Sequence, residues 1–157
     1  MMTQADSLEA EVFSARFPQI ARSEEPATIA ALVGNLTLHE AGAGEALVAQ
    51  GTPSDELFLV LDGRLDISIA TANGERRLAA VDSGQMFGEM SLLDPAPAGA
   101  SVVTEQGCTV LRIGRARLDA LRREQPETAA PLLREVIRSL AARLQDATSF
   151  ASGLESR

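Results

Sequence analysis

The sequence predicts a mainly β fold, in which a β-roll or small barrel is flanked by helices at both ends. Three observations predict the β unit: glycines separate short apolar runs, one segment alternates between apolar and polar residues, and Asn73-Gly74 forms a strong hairpin signal. These signals recur from about Leu36 to Ile113 with no helical pattern between them. We therefore expect a closed or sandwiched unit instead of alternating βα units.

Helices are predicted before the β unit, over residues 7–33. The first helical segment has one apolar face, which carries Leu8, Val12 and Phe13. Further along, Pro26 stands at a helix-starting position and Gly34 ends the same apolar run. Proline in the first turn and glycine after the last turn are typical helix boundaries, so we expect a second helix between them.

Within the β unit, two neighbouring segments carry the clearest strand patterns. The first, Glu56–Gly63, is an apolar run of strand length that Asp62-Gly63 is expected to close. The second, Arg64–Ala70, alternates strictly, which predicts a strand with two different faces. Its apolar face carries Leu65, Ile67 and Ile69, and its polar face carries Asp66 and Ser68.

Helical patterns return at Arg115, and a first helix is expected to end before Pro126. The helix after it has apolar residues at 4-3-4 spacing, typical of a coiled-coil seam. This seam consists of Leu133, Ile137, Leu140 and Leu144. Two interpretations stay open: the helix packs on its own β unit, or it pairs with its twin in a homodimer. We prefer the homodimer because Leu132 and Val136 widen the apolar face enough to serve both contacts.

Length and charge limit the class of protein. A chain of 157 residues is typical of one domain with a sizeable core. The net charge is −8 and all 14 cations are arginines, which argues against sequence-independent nucleic-acid binding. No apolar stretch approaches the length of a membrane span, and residues 1–13 lack the pattern of a signal peptide. We expect a cytoplasmic protein with no membrane contact.

Side chains with catalytic chemistry are few, and we expect no enzyme and no metal site. The single histidine, His39, precedes a turn, where a satisfied structural histidine is the more common case. Ser91 and Ser101 have no histidine near them in the sequence, and no Cys/His cluster has metal-ligand spacing. Cys108 is the single cysteine and lies in a strand-like run, which favours a small buried apolar role.

Two stretches carry a resemblance to a known family. "GAGEALVAQGTPSDELFLVLDGRLDI" begins at Gly42, and "LAAVDSGQMFGEMSLLDPAPAGASVVT" begins at Leu78. Their glycine spacing resembles the cyclic nucleotide-binding domain, the sensor module of the catabolite activator protein family and of cyclic-nucleotide-gated channels and kinases. The resemblance covers about residues 36–144. It implies an eight-stranded β-roll, of the double-stranded β-helix or jelly-roll type, with N-terminal helices and a long C-terminal helix.

The resemblance also implies an organisation of the chain and a ligand-binding cassette. The expected parts are an N-terminal helical segment (residues 1–35), the β-roll (36–114), C-terminal helices (115–150) and a tail (151–157). The cassette would consist of Phe87, Gly88, Glu89, Met90, Ser91, Ala98, Gly99, Ala100 and Ser101. In the family, the glutamate after the glycine accepts a hydrogen bond from the ribose 2′-hydroxyl, and the backbone at the start of a short helix faces the phosphate. The alternative is that Glu89 only braces the loop.

One position departs from the family pattern. In the family, eight residues separate the Gly-Glu pair from an arginine that neutralises the cyclic phosphate, and this chain has Ala98 at that position. No Arg or Lys lies between Arg77 and Arg112 in the sequence, so no near neighbour substitutes. Removing one partner of a desolvated charge pair costs roughly 2–5 kcal/mol. We expect Glu89 to repel a phosphate that lacks this counter-charge, and the cassette to bind cyclic nucleotides weakly.

Two functions follow as hypotheses. The first is a stand-alone, non-catalytic sensor domain with a degenerate cassette, which binds cyclic AMP or cyclic GMP weakly or binds a less anionic ligand. The second is a ligand-free module for dimerisation or for binding a protein partner. Transcription factors of the family carry a helix-turn-helix after the long helix, and this sequence ends at Arg157. We therefore expect no direct DNA binding by this chain.

Overall fold

The described part of the chain forms six helices and ten strands. The computed structural model describes the backbone of residues 2–4 and 9–155 and the side chains of residues 9–148. The helices are α1 (Ala10–Arg16), α2 (Pro18–Ala21), α3 (Pro26–Val33), α4 (Glu89–Leu93), α5 (Arg115–Glu124) and α6 (Pro126–Glu155). The strands are β1 (Met2–Gln4), β2 (Thr37–Ala41), β3 (Ala46–Val48), β4 (Pro53–Ser54), β5 (Glu56–Thr71), β6 (Gly74–Asp82), β7 (Met86–Phe87), β8 (Ala96–Pro97), β9 (Ser101–Val103) and β10 (Cys108–Gly114).

Eight of these strands form one curled antiparallel sheet, which confirms the predicted β-roll with helices at both ends. The strand order is β1-β2-β10-β5-β9-β3, and β6 and β7 also pair with β5. Strands β4 and β8 form a separate two-stranded ribbon. The predicted hairpin at Asn73-Gly74 joins β5 to β6, and Gly74 has a φ of 105°. Strand β5 therefore organises the sheet, since four other strands pair with it.

Strand β5 is buried on both faces over its first half. Leu57 and Leu59 belong to a core cluster that packs against the helices, whereas Phe58 and Val60 belong to a second cluster inside the roll. This two-sided burial explains the continuous apolar run of the sequence. The prediction that Asp62-Gly63 closes the strand is wrong, because β5 continues through it to Thr71. Gly63 has a φ of 91°, and its missing side chain instead lets the strand pass close to the backbone of Gly107 and Cys108.

The predicted faces of the second half of β5 also need correction. Leu65 is buried as expected, but Ile67 and Ile69 are only partly buried, and Ser68 is 6% exposed. The pairing of β5 with β6 shifts register between Ile67 and Ser68, which interrupts the simple alternation of faces. The buried Ser68 hydroxyl is satisfied because it donates a hydrogen bond of 2.6 Å to Glu75 Oε1.

The N-terminal segment combines helices with one strand. Helix α3 begins at Pro26 and is followed by Gly34, as the sequence predicts. Residues 2–4, expected in a helical segment, form a strand that extends the sheet beside β2. Three residues are too short to give a periodic signal, so only pairing with the sheet edge defines this strand. On α1, Phe13 is buried and Val12 is 48% exposed, while Leu8 lies outside the described residues.

Two of the four residues of the predicted apolar seam on the long helix α6 pack on the domain, and the other two are exposed. Leu133 and Leu140 pack against the core cluster of the same domain, but Ile137 and Leu144 are 66% and 69% exposed. Leu132 and Val136 are buried. The face of α6 that packs on the domain is therefore centred on these two residues and not on the predicted seam. The helix continues to Glu155, although we expected a tail from residue 151. Among the described residues, no helix is long and apolar enough to cross a membrane.

We predict that Gly63→Ala destabilises the fold by at least about 2 kcal/mol, because Gly63 has a left-handed backbone in a crowded position. A Cβ at this site would lie 2.8 Å from the Gly107 carbonyl oxygen and 2.9 Å from Cys108 Cα. Urea unfolding followed by circular dichroism measures the free energy of unfolding. The control is Gly42→Ala, where a Cβ meets nothing within 4 Å. An equal effect of the two substitutions would contradict the constraint at Gly63.

Candidate functional site

The first part of the cassette is held against β5. The Phe87 ring stacks on Phe58 inside the roll, with ring centroids 4.6 Å apart and planes 5° from parallel. Gly88 follows with a φ of 96° and precedes α4. A side chain at this position would collide with the backbone carbonyl of Glu56. Glycine is therefore required here, and it sets the direction in which Glu89 leaves the strand.

Glu89 is fully buried and its carboxylate faces α6. Its Oε2 accepts a hydrogen bond of 2.5 Å from the Ser139 hydroxyl and lies 3.3 Å from Nη2 of Arg143. Its Oε1 is buried and has no hydrogen-bond partner within the described part of the chain. A buried carboxylate needs a counter-charge and hydrogen-bond donors, so this side chain connects the cassette to the long helix.

This ion pair corrects our expectation about charge at the cassette. We expected Glu89 to repel an anionic ligand, because no Arg or Lys close to it in the sequence substitutes for the arginine of the family. Arg143 approaches from α6, where it lies on the same face as Ser139, and its side chain is 55% exposed. Arg143 neutralises much of the negative charge of Glu89. The expected repulsion of an anionic ligand by Glu89 is accordingly reduced.

The far end of the cassette is fastened to a different part of the molecule. The Ala98 N–H donates to the Thr52 carbonyl, and the Gly51 N–H donates to the Ala98 carbonyl, both at 2.8 Å. The Ser101 hydroxyl accepts a hydrogen bond of 2.9 Å from the Gln50 N–H. Strands β4 and β8 pair beside these contacts. Backbone hydrogen bonds thus join the two loops at Ala98, the position where the family has its arginine.

The other predicted cassette residues occupy more open positions. Met90 is 58% exposed on α4, and Gly99 is exposed. Ser91 and Ala100 are partly buried. The nine predicted residues therefore extend from the end of β7 through α4 to the start of β9. The structure places Glu89 against α6, and it places Ala98 and Ser101 against residues 50–52.

A cavity of about 460 Å³ lies between the sheet and α6. Its sheet wall is formed by Ile67, Ala79, Ala80, Val81 and Met86, with Gly84 and Gln85 beside them. Its helix wall is formed by Glu135, Arg138, Ser139, Ala142, Arg143 and Asp146, and Gln19 closes one side. Glu89 lies directly behind this helix wall, because it contacts Ser139 and Arg143. The volume is in the range of small-molecule sites.

Charged groups on the helix wall influence one another. Glu135 is largely buried and its Oε2 accepts a hydrogen bond of 2.7 Å from Arg138. Burial raises the pKa of Glu135; Arg138 opposes this rise and the negative charge of Glu89 adds to it. The cavity thus combines two acids and two arginines on one helix with a mainly apolar sheet.

The residues on α6 were missed as site residues by the sequence analysis. Only the apolar residues of this helix carried a sequence-based prediction, and no role in a site was predicted for its charged residues. A usable signal was present: Ser139 and Arg143 are four residues apart, on the same side as Val136. That spacing places a hydroxyl and a cation on the docked face, but it does not say which acid they meet.

Other polar groups form local structural contacts. His39 is buried and pairs with Glu45. The pKa of Glu45 is lowered, first by the hydrogen bond with His39 and then by the Gly42 N–H. Cys108 is buried, and burial raises the pKa of its thiol. Within the described residues, no group of three His, Cys, Asp or Glu side chains is placed to hold a metal ion.

Comparison with known proteins identifies sequence relatives. A family model described as the cyclic nucleotide-binding domain matches residues 38–125. The chain is 32% identical over 117 residues to a CRP-like cAMP-activated global transcriptional regulator of Mycobacterium tuberculosis. That match covers 74% of this chain and 52% of the regulator. The chain therefore spans about half the length of this relative.

Solved structures share the fold. A cyclic nucleotide-binding domain from Methylobacillus flagellatus superposes with a TM-score of 0.78 at 22% identity, covering 89% of this chain and 82% of that chain. The catabolite activator protein of Thermus thermophilus superposes with a TM-score of 0.68 at 26% identity, covering 85% of this chain and 63% of that chain.

We predict that Arg143→Gln lowers the free energy of unfolding by about 1–3 kcal/mol, because it leaves the buried Glu89 carboxylate with no cation. The additional change Glu89→Gln is expected to recover most of this loss, since the buried group is then neutral. Denaturant unfolding of the wild type, both single variants and the double variant gives the coupling energy.

The matched control for this cycle is Arg122→Gln on α5. Arg122 faces Asp119 at 3.9 Å and both side chains are exposed, so its loss is expected to cost less than about 0.5 kcal/mol. A coupling energy near zero between positions 89 and 143 would contradict the role of this ion pair.

Proposed function

The chain belongs to the cyclic nucleotide-binding domain family, and on this premise we propose that it is a non-catalytic, cytoplasmic sensor domain. Its ligand would occupy the cavity between the β-roll and α6. The family match supports this proposal, as does a volume of about 460 Å³ with an apolar sheet wall and a polar helix wall.

The observation that carries the proposal is the contact of Glu89 with α6. The buried carboxylate holds Ser139 and Arg143, and both of these residues line the cavity. A ligand that contacts the same wall changes the surroundings of this ion pair. If α6 has two positions and the ligand binds more tightly to one of them, the ligand shifts the equilibrium toward that position. The size of the shift is the difference in affinity between the two positions. The position of α6 would be the output of the sensor.

We propose that the ligand is a cyclic nucleotide bound weakly, or a less anionic molecule. Ala98 supplies no cation where the family has arginine, and its backbone is joined to the Gly51–Thr52 loop. The buried Oε1 of Glu89 is an acceptor that a ligand hydroxyl could satisfy if α6 moved. The cassette would thus keep its hydroxyl recognition and lack its main contact with phosphate.

A second function is favoured by the exposed part of α6. Ile137 and Leu144 lie seven residues apart on one stripe of the helix and are 66% and 69% exposed. Large exposed apolar side chains on a helix stripe are typical of a protein contact. We propose that this stripe pairs with the same stripe of a second copy, with Leu133 and Leu140 at its edge. The alternative function is a ligand-free module that dimerises or binds a protein partner.

The net charge of −8 supports the further proposal that this chain does not contact DNA directly.

We predict that calorimetric titration of the wild type with cyclic AMP or cyclic GMP gives no binding tighter than roughly tens of micromolar. Ala98→Arg is expected to strengthen binding by about 30-fold or more, because it supplies the missing cation. The control is Ala98→Gln, which adds length and hydrogen-bonding capacity without charge and should give little gain. A submicromolar wild type would refute the degenerate cassette. Failure of both the wild type and Ala98→Arg to bind would favour the ligand-free module.

We predict that the wild type is a dimer by light scattering and that Ile137→Glu is a monomer, because a buried glutamate at the stripe has no partner. The control is Leu78→Glu, which changes a 50% exposed leucine on β6 and leaves the sequence of α6 intact. This variant should keep the mass of a dimer. A monomeric wild type, or dissociation by both substitutions, would remove the proposed dimer contact.

A further inference from the structure

The cations that line the cavity, among the described residues, are Arg138 and Arg143, and both belong to α6. We propose that Arg138 recognises the anionic group of the ligand in this cavity, so that this group points toward α6. The inference rests on the proposed sensor function and specifies the orientation and the class of its ligand.

Arg143 already has a partner of its own. It lies 3.3 Å from the fully buried Glu89, whose charge has no other cation near it in the described structure. Moving Arg143 to a ligand would leave that carboxylate buried and uncompensated, which is strongly unfavourable. Arg143 therefore keeps the cassette attached to α6 and is a poor choice for a second anion.

Arg138 is held much more weakly. Its Nη1 donates to Glu135 at 2.7 Å and to the Gln19 carbonyl at 3.3 Å, and its side chain is 60% exposed. Glu135 is 12% exposed and keeps some contact with solvent, whereas Glu89 is fully buried. Redirecting the Arg138 guanidinium toward a ligand therefore costs less than redirecting that of Arg143. A guanidinium can also donate two parallel hydrogen bonds to a phosphate or carboxylate.

The two walls of the cavity differ in polarity. Ile67, Ala79, Val81 and Met86 give the sheet wall an apolar surface. Along the helix wall, Arg138 and Arg143 lie between the acids Glu135 and Asp146, and Arg143 is paired with Glu89. This arrangement fits a ligand with a flat apolar body on the sheet and one anionic group on the α6 side.

Arg112, another arginine near the cassette, does not serve this role. Its guanidinium lies 5.2 Å from the centroid of the Phe58 ring, and its Nε donates to Glu56 at 3.0 Å. The lining residues of the cavity do not include it. Arg112 thus stabilises the stacked rings of the roll, and Arg138 is the lining cation that is not paired with a fully buried acid.

The test compares an anionic with a neutral probe. Cyclic AMP and adenosine are titrated into the full chain, and NMR chemical shifts give dissociation constants up to the millimolar range. The wild type is expected to bind cyclic AMP more tightly than adenosine. Arg138→Gln is expected to weaken cyclic AMP binding by roughly tenfold, the scale of one hydrogen bond to a charged group, and to leave adenosine within about twofold. The control, Arg134→Gln, changes a half-exposed arginine on α6 that pairs with Glu24 outside the cavity, and should alter neither constant.

The outcomes separate this inference from the proposed function. Suppose that both probes bind the wild type. The role of Arg138 is then overturned if Arg138→Gln weakens both probes equally, weakens neither, or acts no more strongly than Arg134→Gln. In each of these cases the proposed sensor function stands. If neither probe binds the wild type, the nucleotide-sensor function and this inference fail together. In an Ala98→Arg background, phosphate has a cation in the cassette, and the effect of Arg138→Gln should shrink.

Discussion

The buried carboxylate of Glu89 is the constraint on which the relation between the cassette and the long helix depends. A carboxylate with no exposed surface is tolerated when a cation and hydrogen-bond donors surround it. Here both come from α6, through Arg143 at 3.3 Å and Ser139 at 2.5 Å. The contacts of Glu89 therefore link the cassette to the docked helix, and α6 in this position forms one wall of the cavity.

The two ends of the cassette contact different parts of the molecule. Its first part follows β7, where Phe87 stacks on Phe58 and Gly88 allows the close passage of the Glu56 backbone. Its last part joins the Gln50–Ser54 loop through backbone hydrogen bonds at Ala98. The glutamate that would contact a ligand hydroxyl is thereby coupled to the helix. The position that would contact phosphate is committed to a loop and carries no charge.

Much of the fold follows from local patterns. Pro26 and Gly34 delimit α3, and Asn73-Gly74 forms the hairpin between β5 and β6, because proline and glycine restrict or permit particular backbone angles. Sequence patterns gave the wrong secondary structure where contacts between distant parts of the chain determine it. Asp62-Gly63 has the composition of a turn, yet the strand continues through it, and three residues at the N-terminus become a strand by pairing with a sheet edge.

By itself the sequence determined the class of fold and the absence of arginine at position 98, and it predicted the place of the cassette, since each is a matter of residue type and spacing. Only the tertiary structure decided which charges meet. Glu89 and Arg143 are far apart in the chain, and the apolar seam of α6 is compatible with several rotations of the helix. Packing of Leu132 and Val136 on the core selects one rotation. That choice turns Ser139 and Arg143 toward Glu89 and leaves Ile137 and Leu144 exposed, because the side chains of one helix cannot all face the same neighbour.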